Sequence, residues 1–291
     1  FSVIDILSIP VFPWDAWLVW VYRAKAWFYS AGLVDVVGPS EWAAAVSVPP
    51  FTIDAHAYPG FVSVIYFWAA LSLGQWSETW INLPGLLCAI AIALTLHGHL
   101  LRLGLSSVVS LAVVYLLFST PLFAAHVSLG GYADLWMAGY AGLGMIALIS
   151  GLSRREVGYI LAGFILLVFS TFVKNEGLIW LLLGLALALV MFVPRKIQMA
   201  GTVALAVLIT LAAISDFTYL DLPGLGIVGI KDSYIYLPVV GQFVLEPNDI
   251  LADYTRNFFA MGSWNLLWSM LAVGLVLGLL QAAFQAVHVG V

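Results

Sequence analysis

One acidic and two basic side chains lie close together in an aromatic segment near the start of the sequence. Asp15 stands between Trp14 and Ala16, and Arg23 and Lys25 follow shortly after it. A carboxylate in this setting could deprotonate a hydroxyl or amine nucleophile, while nearby cations could hold a phosphate leaving group. The alternative is a solvated acid that caps the helix after it. Asp15 is therefore a candidate base, and Arg23 and Lys25 are candidate phosphate contacts.

A second acid, Asp134, follows a pair of glycines at the start of an apolar run. Gly130 and Gly131 allow a close approach of backbone or ligand at this point. Asp134 could orient a substrate or a catalytic loop by hydrogen bonding. The alternative is an acid that is favoured by the dipole at the N-terminus of its helix.

A base, an amide and an acid occupy a very short connection between two apolar runs. Lys174-Asn175-Glu176-Gly177 is a tight turn that could present Lys174 to a phosphate. The alternative, at equal weight, is a local ion pair between Lys174 and Glu176 that closes the turn. Ionisable groups at a membrane boundary are functional candidates by default, so both interpretations stay open.

Asp54 and His56 offer a carboxylate and an imidazole two residues apart. The pair could ligate a divalent ion or transfer a proton, but an ordinary loop is the simpler explanation. His97 and His99, near Arg102, are interpreted as residues at the end of their helix.

The composition excludes a water-soluble domain. The chain is 63% hydrophobic, only 9% charged and has a mean hydropathy of +1.07, whereas soluble domains are about 25% charged. A net charge of -5 with scattered basic residues argues against nucleic acid as a partner. The single cysteine, Cys88, excludes a disulfide framework and a thiolate metal cage.

Apolar runs of about 17 to 25 residues predict transmembrane helices. They occur at 81–100, 107–125, 134–151, 157–173, 178–194, 197–215 and 263–285. The basic residues of three short loops, at 102, 154–155 and 195–196, predict that these loops are cytoplasmic. All acidic residues except Glu156 then lie at the opposite, outer face. The predicted organisation is an outer first loop at 1–80, a helix bundle at 81–215, an outer loop at 216–262 and a further helix at 263–291.

Two segments of the first loop are predicted to lie on the membrane surface. Residues 14–30 combine tryptophans with Arg23 and Lys25, which is typical of an interfacial helix. Residues 59–73 form a short apolar stretch whose length does not decide whether it spans, and they are interpreted as a juxtamembrane or re-entrant helix. The long outer loop, which carries Lys231 and Arg256, is interpreted as an adaptable lid with two further candidate phosphate or acceptor contacts.

Four segments carry a resemblance to a known family. They are Trp14-Asp15-Ala16-Trp17, His56-Ala57-Tyr58-Pro59-Gly60, Ser128-Leu129-Gly130-Gly131-Tyr132-Ala133-Asp134-Leu135 and Phe172-Val173-Lys174-Asn175-Glu176-Gly177-Leu178. In their order and context, over residues 10–180, the chain resembles the integral-membrane glycosyltransferases of the C-type (GT-C) fold. The resemblance is to the superfamily of protein O-mannosyltransferases and aminoarabinose transferases. The last segment has Val173 where that family carries threonine.

The resemblance implies an all-α, polytopic transmembrane helix bundle of the GT-C type with extracytoplasmic juxtamembrane helices. It implies an enzyme of the plasma (inner) membrane that transfers a sugar from a polyprenyl-phosphate donor to a glycan, lipid or protein acceptor on the extracytoplasmic side. Asp15 corresponds to the catalytic base and Lys174 to the residue that holds the lipid phosphate. The other expected substrate-binding residues are Asp134, Glu176, Arg23, Lys25, Tyr58 and His56.

The chain also departs from the family pattern. Many relatives carry a second acid beside the first, two prolines where this chain has Tyr58-Pro59, and an arginine where it has Asn82-Leu83. No metal ligand set is predicted, and use of a divalent metal stays open. The family usually has one more helix before the acidic loop and further helices after the seventh, so the sequence is expected to be a fragment. Two other functions stay open: a transporter or flippase of a lipid-linked precursor, and a non-catalytic subunit.

Overall fold

The structure is a computed structural model that is mostly helical. It describes residues 2–45, 51–214, 219–222, 226–231, 234–237, 241–244, 250–260, 262, 264, 267–276 and 278. The chain forms two compact units. The first contains the residues up to Ala188 and those from Phe258 onward, and the second contains Leu189–Asn257.

The first unit contains most of the helices. They are α1 Ser2–Ser8, α2 Val21–Tyr29, α3 Pro39–Ala44, α4 Phe61–Leu73, α5 Leu83–Arg102, α6 Ser107–Ser119, α7 Pro121–Ser128, α8 Asp134–Met137, α9 Leu143–Arg154 and α10 Val157–Val173. Helix α11, Gly177–Phe192, crosses the boundary between the units. Two π-helical turns, Ala16–Trp20 and Ala138–Gly142, and a 3-10 turn, Trp80–Asn82, join these helices. Two short parallel strands, β1 Val36–Val37 and β2 Phe51–Thr52, pair with each other.

Two helical segments of the described chain are long and apolar enough to cross a membrane. They are Trp80–Arg102 and Asp134–Arg154, and they agree with the predicted spans at 81–100 and 134–151. Helix α10 matches the predicted run at 157–173, but its 17 residues leave it among the shorter apolar helices, with α4, α11 and the helix Leu267–Val276. Length and composition therefore support a membrane protein with two spans, or three if the bent pair described next counts as one.

The predicted span at 107–125 is not one straight helix. Helices α6 and α7 meet at Thr120 with a bend of 74°. Thr120 is extended, with φ −64° and ψ 129°, and it directly precedes Pro121. Proline disfavours the helical conformation of the residue before it, so the chain turns here although its apolar character is continuous.

Helices α9 and α10 form a tightly packed antiparallel pair. A Cβ atom on Gly151 would lie 2.6 Å from the backbone nitrogen of Ile160, and one on Gly163 would lie 2.7 Å from that of Leu148. In a membrane, the hydrophobic effect does not drive helices together. Small residues let the helices approach closely and associate by van der Waals packing instead. Arg102, at the end of α5, forms an ion pair with Glu156 at one end of this helix pair. The ends of three helices, α5, α9 and α10, are therefore joined by polar contacts there.

The main core of the first unit connects the N-terminal segment with the later helices. Trp20, Tyr66, Ala133, Trp136 and Val173 belong to one buried cluster. Trp20 ends the π-helical turn that follows Asp15, Ala133 and Trp136 flank Asp134, and Val173 precedes Lys174. This core therefore determines the relative positions of the three residues that the sequence selected.

The second unit contains β-structure that the all-α prediction lacks. Its helices are α12 Arg195–Ile214 and α13 Leu251–Thr255, the latter followed by a π-helical turn at Arg256–Ala260. Between them, β3 Tyr219–Leu222, β4 Gly226–Lys231, β5 Tyr234–Leu237 and β6 Gly241–Val244 form an antiparallel meander. The isoleucine, valine and tyrosine residues of this segment favour strands. Its acids and prolines favour a loop, and they led to the prediction of a loop. The segment predicted as a loop is thus a sheet in its described part.

Most of the last predicted span, 263–285, lies outside the described residues. Its described part includes the helix Leu267–Val276. Lys231 lies in β4, and Arg256 begins the π-helical turn after α13. Both belong to the second unit, so their predicted contacts with phosphate or acceptor stay predictions.

Candidate functional site

Lys174 and Asp134, which are distant in the sequence, form an ion pair. Lys174 Nζ lies 3.0 Å from Asp134 Oδ1 and donates a hydrogen bond to it. The same ammonium group lies 5.5 Å from the centre of the Trp20 ring, within the range of a cation–π interaction. The lysine side chain is 15% exposed and the aspartate side chain is 40% exposed. The local pair with Glu176 that the sequence suggested is not formed, and the partner of Lys174 is Asp134, which the sequence did not predict.

The environment of Lys174 favours its charged form. Burial lowers the pKa, but the hydrogen bond and charge of Asp134, with smaller contributions from Glu176 and Tyr58, outweigh it and raise the pKa above its ordinary value. Lys174 is therefore a cation at neutral pH that is held at the end of α10. A cation in a half-buried position is suited to bind a phosphate.

The glycine pair before Asp134 allows its loop to pack against the N-terminal segment. Gly131 has a φ of +92°, and a Cβ atom there would lie 2.6 Å from Ala16 Cβ. Its backbone N–H donates to the hydroxyl of the buried Tyr66 at 3.1 Å. A Cβ atom on Gly130 would overlap the side chain of Asn82. The sequence predicted that backbone or ligand approaches these glycines closely. In the structure the neighbours are protein atoms, Asn82 at Gly130 and Ala16 at Gly131.

Asp15 directly precedes the π-helical turn Ala16–Trp20, in which the N–H of Val21 donates to the carbonyl of Ala16. The carboxylate of Asp15 makes no capping hydrogen bond with this turn. Within the described part of the chain, no ion pair to Asp15 is found. The capping role that the sequence left open is therefore not the role of this side chain.

Asp15 lies on the wall of a cavity of about 350 Å³, here called the acidic cavity. Its lining residues are Trp14, Asp15, Leu18, Val19, Tyr22, Pro39, Thr52, Ile53, Asp54 and Ala55. The cavity thus contains the acid of the first motif and the acid of the Asp54 and His56 pair. Asp54 belongs to the same site as Asp15, which the sequence did not predict.

Tyr132 is affected by the charges of both Asp15 and Asp134. Burial raises the pKa of Tyr132, and the charges of Asp15 and Asp134 raise it further. Both carboxylates are thus close enough to one phenol to affect its ionisation, although they are far apart in the sequence. The sequence signal for Tyr132 was its place in the segment that resembles the family, but the effect of both acids on it depends on the tertiary structure.

A second cavity, of about 320 Å³, has an almost entirely apolar wall and is here called the apolar cavity. Its lining residues are Leu117, Thr120, Leu122, Phe123, His126, Asp134, Leu135, Ala138, Trp264 and Leu267. It lies beside the bend between α6 and α7. Asp134 is the only acidic residue among those that line it, so the ion pair with Lys174 lies at its edge.

Arg23 and Lys25 are engaged in contacts with the protein. The guanidinium of Arg23 donates to the carbonyl oxygens of Tyr58 at 2.9 Å and His56 at 2.8 Å. Arg23 is buried, which lowers its pKa. Lys25 Nζ lies 2.6 Å from Glu78 Oε1. In this structure both cations hold loops of the first unit, and their predicted phosphate contacts stay predictions.

Three further predicted residues have different surroundings. The Tyr58 ring packs on Trp20 with 5.9 Å between the ring centres, and its phenol contributes to the field at Lys174. Glu176 is exposed and affects Lys174 through its charge. The His56 ring lies against Gly38, where a Cβ atom would come within 2.6 Å of it. Tyr58 and Glu176 are thus neighbours of Lys174, and His56 belongs to the adjoining loop.

Among the residues that the structure describes, no group of three or more His, Cys, Asp or Glu side chains is arranged to hold a metal. Trp20 is a site residue that the sequence analysis missed, because an aromatic residue in an interfacial segment was explained by the membrane alone. Comparisons with protein-family models, with curated proteins and with solved structures found no match for this chain.

Proposed function

We propose that this protein is a membrane glycosyltransferase that transfers a sugar from a polyprenyl-phosphate donor to an acceptor, with Asp15 as the base. The observation that supports it is that Lys174 pairs with Asp134 and lies over Trp20, while the loop leading to Asp134 packs at Gly131 against Ala16, the residue next to Asp15. Asp15, Asp134 and Lys174 are far apart in sequence, and each is a candidate for base chemistry or substrate binding on its sequence context alone. A half-buried cation beside one end of this region and a carboxylate beside the other suit a displacement in which the leaving group is an anion.

The phosphate of the donor binds Lys174. In the absence of donor, Asp134 supplies the negative charge beside the ammonium group at 3.0 Å. A phosphate oxygen takes over this role and leaves Asp134 free to hydrogen-bond a donor hydroxyl. The apolar cavity begins at Asp134 and accepts the first part of the prenyl chain, whose carbon atoms make dispersion contacts with the apolar wall.

The acceptor binds in the acidic cavity, whose wall includes Asp15. Asp15 removes a proton from the acceptor hydroxyl as its oxygen attacks the anomeric carbon of the donor. The bond between this carbon and the phosphate oxygen breaks, the bonding electrons stay with the phosphate, and the proton stays on Asp15. Because attack and departure occur on opposite faces, the configuration of the sugar inverts. The phosphate leaves as a stable anion, so no general acid is needed.

The substitution Asp15→Asn tests the proposal. It keeps the size of the side chain but removes the base, so transfer is expected to fall by about 10²- to 10⁴-fold, the usual contribution of general base catalysis. The measurement is transfer of radiolabelled sugar from a panel of polyprenyl-phosphate sugars to membrane extract, with the purified full chain in proteoliposomes. Asp35→Asn, an exposed acid that does not line either cavity, is the matched control. Equal rates for the two variants would refute the role of Asp15.

A transporter or flippase is the second candidate, and the bend of 74° between α6 and α7 favours it. Broken helices are common where transporters bind their substrates. This function predicts movement of a labelled polyprenyl-phosphate sugar across proteoliposomes without release of the sugar from the lipid. It also predicts that Asp15→Asn leaves this movement unchanged, which distinguishes it from the transferase.

A further inference from the structure

The acidic cavity has chemical features that define the ligand it can accept. Asp15 and Asp54 supply two carboxylates, and none of its lining residues is basic. Arg23, the nearest cation in sequence, directs its guanidinium to the carbonyl oxygens of His56 and Tyr58. A ligand with a carboxylate or phosphate would meet repulsion here without a compensating cation. The cavity therefore selects against anions.

The polar groups of the cavity require a ligand that donates hydrogen bonds. Ionised carboxylates only accept hydrogen bonds, so Asp15 and Asp54 need O–H or N–H groups from a ligand. Thr52, which also lines the cavity, has a buried hydroxyl that finds no hydrogen-bond partner among the described residues. The hydroxyl oxygen itself is fully buried, so the hydrogen bonds of a ligand are assigned to the two carboxylates.

Aromatic rings form another part of the wall. Trp14 is 70% exposed although it lines the cavity, and Tyr22 lines it as well. An exposed indole is available to stack on the face of a flat or ring-shaped ligand. The volume of about 350 Å³ falls in the range of about 300 to 1,000 Å³ that small-molecule sites occupy.

We infer that the acidic cavity binds a hydroxyl-rich, sugar-like acceptor that carries no negative charge, with Asp54 and Trp14 as its specificity residues. This inference rests on the proposed function for the role of the ligand as an acceptor. Asp15 contacts the hydroxyl that reacts, Asp54 accepts hydrogen bonds from other hydroxyls, and Trp14 stacks on the ring. An uncharged glycan end satisfies all three contacts.

The test compares two sugars that differ in charge at a single position. Methyl β-D-glucoside and methyl β-D-glucuronide are titrated against the full chain in lipid nanodiscs, and their dissociation constants are measured by saturation-transfer NMR. The wild type is expected to bind the glucoside at least about tenfold more tightly than the glucuronide, and Asp54→Asn is expected to lower this ratio about fivefold, because one repulsive charge is removed. Glu41→Gln, an exposed acid in α3 outside the cavity, is the matched control and should leave the ratio unchanged.

Trp14→Ala gives a second and independent measurement, since an exposed side chain can be removed with little effect on the core. It should weaken the binding of both sugars about tenfold and leave their ratio unchanged. Equal binding of the two sugars by the wild type, binding of neither, or equal ratios for Asp54→Asn and Glu41→Gln would each overturn the inference. Because binding is measured without donor, a protein that discriminates between the sugars but transfers none would refute the enzyme and leave the cavity assignment standing.

Discussion

Lys174 carries its charge in a half-buried position, and its immediate neighbours determine how stable that charge is. Asp134 pairs with it, Trp20 offers the face of its ring, and Tyr58 and Glu176 add to the negative field. A partly buried ion pair contributes a modest free energy to folding. Removing one partner costs more, because the other charge is left without a partner. The pair is thus a link between α8 and the end of α10 as well as a site for an anion.

A double-mutant cycle measures this link. Lys174→Met and Asp134→Leu are each expected to lower the thermal midpoint in detergent, and the double variant should be less destabilised than the sum of the two. We expect a coupling free energy of about 1 kcal/mol. Changes that simply add would show that the two side chains do not interact.

The pH dependence of this coupling has a defined sign. The pKa of Lys174 in the folded protein lies above its ordinary value of 10.5. The contribution of the pair is therefore fully present below pH 10.5 and is lost as the pH rises further, when the folded lysine deprotonates. The thermal midpoints of the wild type and of Lys174→Met should differ at neutral pH and approach each other as the pH rises above 10.5. A difference that already disappears near neutral pH would contradict this account.

At the level of single residues, the sequence identified the acids and the lysine but not their partners. Asp15, Asp134 and Lys174 stand out because ionisable groups are rare in an apolar chain. The sequence suggested a local pair of Lys174 with Glu176, whereas the pair with Asp134 depends on distances across the fold. The carbonyl contacts of Arg23 likewise follow from the path of the 56–58 loop.

At the level of elements, the glycine loop before α8 determines how closely the N-terminal segment approaches the helices. Gly131 is in the left-handed region, and its missing side chain leaves room for Ala16 and Val21. The loop is held by the hydrogen bond from its backbone to Tyr66 in α4. Three parts of the first unit thus meet at a point where only glycine fits.

Gly131→Ala is expected to destabilise the protein by about 1 to 3 kcal/mol, since the substitution combines an unfavourable φ with a steric overlap. It should also lower any transfer activity by moving Asp134 away from Asp15. The measurement is the thermal midpoint together with the transfer assay. Gly98→Ala, in α5, is the matched control, because a Cβ atom there meets nothing within 4 Å. A Gly131→Ala protein as stable as this control would show that the loop tolerates a side chain.

Hydrophobic runs predicted the helices better than they predicted the breaks between them. The lengths of the apolar runs located the helical segments Trp80–Arg102 and Asp134–Arg154 closely. The bend at Thr120 depends on a single residue pair inside an otherwise apolar run, and Pro121 was the available signal. The meander of β3–β6 was missed because its strands are only four to six residues long, which makes the alternation difficult to distinguish from a loop.

At the level of the first unit, polar contacts occur at both ends of α10. Arg102 and Glu156 meet at one end, and Asp134 and Lys174 meet at the other. The loops predicted to be cytoplasmic, at 102 and 154–155, are in contact, since Arg154 donates to the carbonyl of Arg102 at 3.4 Å. The side of the membrane on which these loops lie stays a prediction.

Cysteine labelling tests the topology of the whole molecule. In a background with Cys88→Ser, we expect Glu41→Cys and Glu176→Cys to react with an impermeant maleimide from the same side of the membrane. Ser153→Cys, at the opposite end of α9, should react only from the other side. All three positions are exposed. Labelling of positions 41 and 176 from opposite sides would separate Asp15 from Lys174 and refute the proposed site.

The π-helical turn after Asp15 contains one residue more than a regular α-helical turn needs, since its hydrogen bond runs from Val21 to Ala16. Deleting the exposed Trp17 would allow a regular helix, but each residue turns a helix by about 100°. The carboxylate of Asp15 would then rotate away from Tyr132 relative to α2. The expected result is a more regular protein of equal thermal stability that no longer transfers sugar. Retained transfer would show that the irregular turn has no part in orienting the acid.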